Sequence, residues 1–235
     1  MLKIWDAANF RRTLGGLCLI VAALLNIAGE LTFPSAPGNN YTPKAYLAIA
    51  TQQHDQLVVA VYMQIIWAIL FIPGLFALLH VIRGRGVVLA HIGVTLALLG
   101  AMLSGLVLAG FDLTISFMGA PGLDSAAMIA MLQKALNDPV GVPIVLGFYI
   151  ASVGFFFIGL AVWRSGFAYR WVGPLISIVV VAEFIPLNNE IFSHIVGVLS
   201  AVGPVVLGYR ILTMSDEEWA SGKAAEVRPI AAIAS

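Results

Sequence analysis

Six stretches of about twenty apolar residues, each nearly free of charge, leave a chain like this one few ways to fold. They lie near 13–31, 57–80, 87–110, 140–163, 171–187 and 191–212. A backbone placed in hydrocarbon must satisfy its own N–H and C=O groups, and a helix does so within a single segment. The expected fold is therefore all-α, a polytopic membrane protein with six transmembrane helices. Residues 1–212 form the transmembrane domain and 213–235 a loose cytoplasmic tail. The fifth stretch is the shortest, close to the lower limit for a crossing. Composition supports the class, since 60% of the 235 residues are hydrophobic and only 10% are charged.

The basic residues orient the bundle. Lys3, Arg11 and Arg12 precede the first stretch, Arg83 and Arg85 separate the second from the third, and Arg164 and Arg170 the fourth from the fifth. Arg210, Lys223 and Arg228 follow the sixth, and only Lys44 and Lys134 fall on the opposite side. By the positive-inside rule both termini are cytoplasmic. The first stretch is expected to stay uncleaved, because no small-x-small site occurs around 26–34 and Leu17 before Cys18 spoils a lipoprotein signal. Twelve basic against twelve acidic residues give no surplus for a nucleic-acid partner. The bilayer is the expected partner, and the apolar faces suit a membrane-protein partner or a second copy. Cys18, the single cysteine, reads as a small packing residue.

The connections carry structure of their own. In residues 1–10, Trp5 suits an interfacial anchor. After the turn chemistry of 34–40, Thr42-Pro43 reads as a helix cap and first position, and 43–53 as a short amphipathic helix on the outer surface. Asp124 or Ser125 caps a second such helix running to about Leu136. The endings Ala28-Gly29-Glu30-Leu31-Thr32, Ala109-Gly110-Phe111-Asp112-Leu113-Thr114 and Val181-Ala182-Glu183 resemble one another. This echo points to three helical hairpins in parallel array.

Chemistry in such a chain comes from ionisable groups at membrane depth, because a charge buried in hydrocarbon costs several kcal/mol unless paired or hydrated. Asp55, Asp138 and Glu190 open inward-running helices, where the positive end of the helix dipole accommodates an anion. Glu30, Asp112 and Glu183 sit at the far ends of outward-running helices, where the dipole disfavours them. In residues 183–194 a Pro-Leu-Asn-Asn corner links Glu183 to Glu190 and His194, which lie one turn apart on the same helix face. The expectation is an outward-facing pocket of Asn26, Glu30, Gln64, Asp112, Glu183, Asn189, Glu190 and His194. It would bind a cation, a proton or a small polar ligand for transport or sensing. The plainer reading has each carboxylate reach headgroup water separately.

Two other classes stay open. His54, His194 and Glu190 could hold a divalent metal such as zinc with one open position, giving an outer-leaflet lipid hydrolase with Glu183 or Glu190 as general base. A non-catalytic accessory subunit of a larger membrane complex is the other. Haem between His54 and His194, or between His80 and His91, is disfavoured because His54 precedes the membrane and the second pair flanks a tight basic turn. The residues alone name no cofactor and do not decide whether the protein is an enzyme.

Arg12-Thr13-Leu14-Gly15 leading into an apolar run that ends at Glu30, with the six-span layout and long outer loops, resembles a family of bacterial six-span integral membrane proteins of unknown function. The resemblance implies a plasma-membrane helical bundle and assigns it no reaction or ligand. The chain looks unlike seven-span zinc hydrolases of the ceramidase type, for which only Asp112 and His194 offer counterparts.

Overall fold

The computed structural model describes residues 6–36, 41–137, 139, 142–184 and 190–221, and no strand occurs among them. The chain begins with α1 (Ala7–Thr32), capped by the Asp6 carboxylate, which accepts the Ala8 N–H at 3.1 Å. Next is α2 (Pro43–Gln52), where the Thr42 hydroxyl accepts the Ala45 N–H at 3.2 Å and proline holds the first turn. α3 (His54–Val81) follows, then a tight 3-10 turn over Gly84–Gly86 that Gly84 enters at φ +66°.

That turn opens a continuous rod, Gly84–Met118, made of α4 (Val87–Gly100), a π-helical segment (Ala101–Val107) and α5 (Leu108–Met118). At 35 residues the rod is about 50 Å long at 1.5 Å per residue, well beyond a hydrocarbon layer of about 30 Å. It runs past 110, where the apolar stretch was expected to end, because Phe111, Leu113 and Ile115 continue an apolar face that packs in the cluster under α2. The Asp124 carboxylate caps α6 (Ser125–Asn137) by accepting the Ala126 N–H at 2.9 Å. α7 (Val142–Ser165), α8 (Val172–Ala182), α9 (Glu190–Leu212) and α10 (Asp216–Ser221) complete the order.

Among the described residues, five helices are long and apolar enough to cross a membrane: Ala7–Thr32, His54–Val81, Gly84–Met118, Val145–Ser165 and His194–Leu212. They make this a membrane-embedded protein. α8 is apolar but has 11 residues, about 16 Å of helix. The remainder of the stretch expected there, 185–187, lies outside the described residues.

The helices pack in two sets. α1 lies closely along α3 and α9, whereas α4 lies along α7 and α7 along α8. Within each set small residues bring backbones together, the means by which apolar helices associate in a solvent as apolar as themselves. A Cβ added at Gly16 of α1 would stand 2.9 Å from the Gly208 carbonyl of α9, and one at Gly154 of α7 would stand 2.7 Å from the Gly93 carbonyl of α4. The sets meet where α8 faces α9 and where α3 faces α4 and the π segment.

Arg12, Arg83, Arg164 and Arg210 gather at one end of the bundle, called here the basic end, and Glu30 and Glu183 mark the other. The basic end is fastened by α10. Trp219 is 4% exposed, its ring centroid 4.3 Å from that of His80, whose Nε2 donates to the Trp219 carbonyl at 2.9 Å. Arg12 donates to the Met214 carbonyl at 2.7 Å and pairs with Asp216 at 2.8 Å, and Arg210 meets Glu218 at 3.3 Å. At the acidic end α2 and α6 close over α5 and the start of α3, with Leu47, Ile49, Leu57, Ile115 and Leu132 in a second apolar cluster.

The α4–α7 seam gives a direct test. A Cβ at Gly100 would lie 2.5 Å from Ala151 Cα, whereas one at Gly110 meets no atom within 4 Å. Gly100→Val should destabilise by roughly 1–3 kcal/mol of overpacking and lower the melting temperature of the purified protein, while Gly110→Ala should leave it nearly unchanged. Equal losses at both positions would be incompatible with this seam.

Candidate functional site

Where the two sets do not close on each other they leave a cavity of about 160 Å³. α1 contributes Asn26 and Glu30 at the acidic end and Ala23 and Leu19 deeper in; α8 contributes Glu183 at the acidic end and Ile176 below. α3 presents Trp67, Phe71 and Leu75, and α7 presents Phe148, Ser152 and Phe155. The sets are held apart by bulk: the Phe71 and Phe155 rings meet across the gap at 5.3 Å, with Trp67 stacked on Phe71 at 5.9 Å.

The polar groups concentrate at one end. Asn26 Nδ2 donates to Glu30 Oε1 at 3.1 Å, as their spacing of one helical turn allows. Glu30 Oε2 reaches α9 at Gly197, where an added Cβ would stand 2.6 Å from it. Glu183 follows the last residue of α8, its N–H bonded to the Val179 carbonyl, and its carboxylate and that of Glu30 lie within electrostatic reach of each other. Both side chains are exposed at the rim of the cavity. Both also stand at C-terminal helix ends, whose dipoles add to the negative potential. Among the described residues no Lys, Arg or His side chain lines the cavity, and His194 stands outside it within electrostatic reach of Glu30.

Three serines line the same space, and their hydroxyls are turned onto their own helices. Ser104 donates to the Gly100 carbonyl at 2.7 Å, Ser152 to Phe148 at 3.0 Å and Ser200 to Gly197 at 2.7 Å. Ser104 belongs to the π segment, a wider turn that recurs at functional sites in helices.

The remaining expected site residues lie in several places. His194 is exposed near Glu30, within electrostatic reach but not among the lining residues. Gln64 packs beside Gly29 on the α1–α3 seam. Asp112 is 3% exposed, and its Oδ1 has no hydrogen-bond partner. It sits in α5 beneath α2, away from the cavity walls. His54 is exposed at the start of α3. Asn189 and the side chain of Glu190 lie outside the described residues. Among the described residues no three His, Cys, Asp or Glu side chains converge into a group able to hold a metal ion. His80 is engaged by Trp219, and the His91 Nδ1 donates to the Val87 carbonyl at 2.8 Å.

The aromatic wall was not legible as part of a site. Trp67, Phe71 and Phe155 follow no pattern that separates a cavity lining from lipid-facing or packing surface. The sequence signals that did fall at the cavity were the Asn26–Glu30 pair and Glu183.

Asp112 also has a measurable neighbour. The Tyr46 phenol in α2 is pushed up to about 12, first by burial and then by the nearby charges of Asp112 and Tyr41. A group whose folded pKa is raised contributes stability below its unfolded pKa of about 10 and loses it as pH rises through the folded value. The acidic-end cap should therefore weaken between about pH 10 and about pH 12. Phenolate absorbance followed against pH should contain one late component near 12 that is missing in Tyr46→Phe.

Compared with known proteins, this chain matches no family model, no curated protein and no solved structure.

Proposed function

We propose that this is a six-span protein of a bacterial cytoplasmic membrane that binds a cation between Glu30 and Glu183, at the outward end of the cavity between its two helix sets, for transport or sensing. The single observation that carries the reading is that these two carboxylates and Asn26 line one cavity with no basic side chain among its described lining residues. Anionic groups at helix C-termini repel each other and the local dipoles, and a bound cation relieves both effects. Orientation follows from the arginines: with Arg12, Arg83, Arg164 and Arg210 at one end, the positive-inside rule puts that end in the cytoplasm and the carboxylates outside. In this reading α8 and the residues after it make the sixth crossing, with Glu183 near its outer limit.

Thermal unfolding in lipid nanodiscs tests the proposal. At a concentration one hundred times its Kd, a bound cation should stabilise the protein by about 2.7 kcal/mol. Sodium, potassium, ammonium and methylammonium are to be compared. The stabilisation should disappear in the double variant Glu30→Gln with Glu183→Gln and persist in Asp112→Asn. A shift that is the same in the double variant, or absent for every cation, would falsify the proposal.

A further inference from the structure

Resting on that reading, we infer that the cavity takes an organic cation with an apolar tail, a lipophilic ammonium, rather than a bare inorganic ion: the head sits between Glu30 and Glu183 and the tail lies along the aromatic and aliphatic wall toward the basic end.

Donor chemistry comes first. A hard cation such as calcium is held by six to eight oxygens at short range, and magnesium by a near-ideal octahedron. Here the charged oxygens come from Glu30 and Glu183, with the Asn26 amide beside them, and the wall serines, which donate their protons to carbonyls of their own helices, add only neutral oxygens on three separate helices. Two carboxylates and an amide supply charge and a few hydrogen-bond acceptors, which is what a substituted ammonium requires. A hard ion held there would draw the rest of its shell from water.

Shape is the second argument. Glu30 and Leu19 both line the cavity from α1, and eleven residues of helix separate their levels by about 16 Å. Below the carboxylates the lining is Trp67, Phe71, Phe155 and aliphatic side chains, and the space is about 160 Å³. A bare ion at the rim would leave this apolar space without an occupant. Ligand sites that combine a mostly apolar wall with a few convergent polar groups fit molecules of the same division. The rings also favour a cation close to their faces.

The test uses a homologous series on the full chain in nanodiscs: methylammonium, butylammonium and octylammonium, each beside the alcohol of equal length. Affinity is read from quenching of tryptophan fluorescence and from the unfolding temperature. Each added methylene that enters the cavity should tighten binding roughly fourfold, with the gain ending when the tail outgrows the space. The alcohols should bind at least tenfold more weakly than the matching amines. In Ala23→Phe, which fills the space below the carboxylates, octylammonium should lose its advantage while methylammonium binds as before.

Each outcome is decisive. Carboxylate-dependent methylammonium binding with no gain along the series overturns this inference and leaves the cation site standing. A gain that is the same in the Glu30→Gln, Glu183→Gln double variant reports partition into lipid and also overturns it. If no amine of any length binds, this inference falls, and the cation site stands only where sodium or potassium stabilises the protein with the same dependence on Glu30 and Glu183. The series is run on the unaltered chain, so the conclusion does not depend on whether the Ala23→Phe variant folds.

Discussion

Close approach of helix backbones at small residues is the constraint on which this structure depends. In hydrocarbon no hydrophobic force drives one apolar helix against another, so van der Waals contact at small residues decides which helices pair. The seams at Gly16 and Gly208, at Gly93 and Gly154, and at Gly159 and Gly173 all fall inside one or the other three-helix set. Between the sets Gly203 of α9 meets Ile176 of α8 and Gly105 of the π segment meets Trp67 and Ala68 of α3, while around the cavity the facing residues are Trp67, Phe71 and Phe155. The sets close where these glycines meet the opposite helix and stay apart where the Phe71 and Phe155 rings meet at 5.3 Å. The cavity is the direct result of that difference, and its position follows from where the sequence places small and large residues.

Polar groups were then distributed around this frame by helix position. Glu30 is one turn beyond Asn26, and Glu183 falls as α8 ends, so both reach the same rim from opposite sets. Asp112 occupies the comparable level on the rod Gly84–Met118 and still has different surroundings, since α2 lies over it. Three acids that look alike along the chain thus divide into a facing pair and a buried single residue.

Much of the architecture could be read from the residues. Long apolar runs, the Thr42-Pro43 and Asp124 caps and the small residues of the third run all have local causes and local signatures. What could not be read is the rotation of one helix against another, because helical periodicity defines a face without saying what the face meets. Gln64 and Asp112 had the composition of cavity residues and are turned elsewhere, while Phe155, one of three consecutive phenylalanines, carries no local mark that separates a cavity wall from other apolar surface. Trp219 was similarly hidden, since its burial against His80 comes from a tertiary contact across most of the chain.

The π segment Ala101–Val107 has one more effect on the molecule. A turn of this kind bonds i to i+5 and so takes up a residue beyond the α-helical count, advancing the angular phase of everything after it by about 100°. α5 is therefore set like a screw cut with one thread out of step, and that offset selects which of its side chains lies under α2. A homologous rod shorter by a single residue in this segment could run as plain α-helix with α5 in the same phase, so the wide turn lets the rod carry one extra residue while Asp112, the one acid of α5, stays beneath the cap.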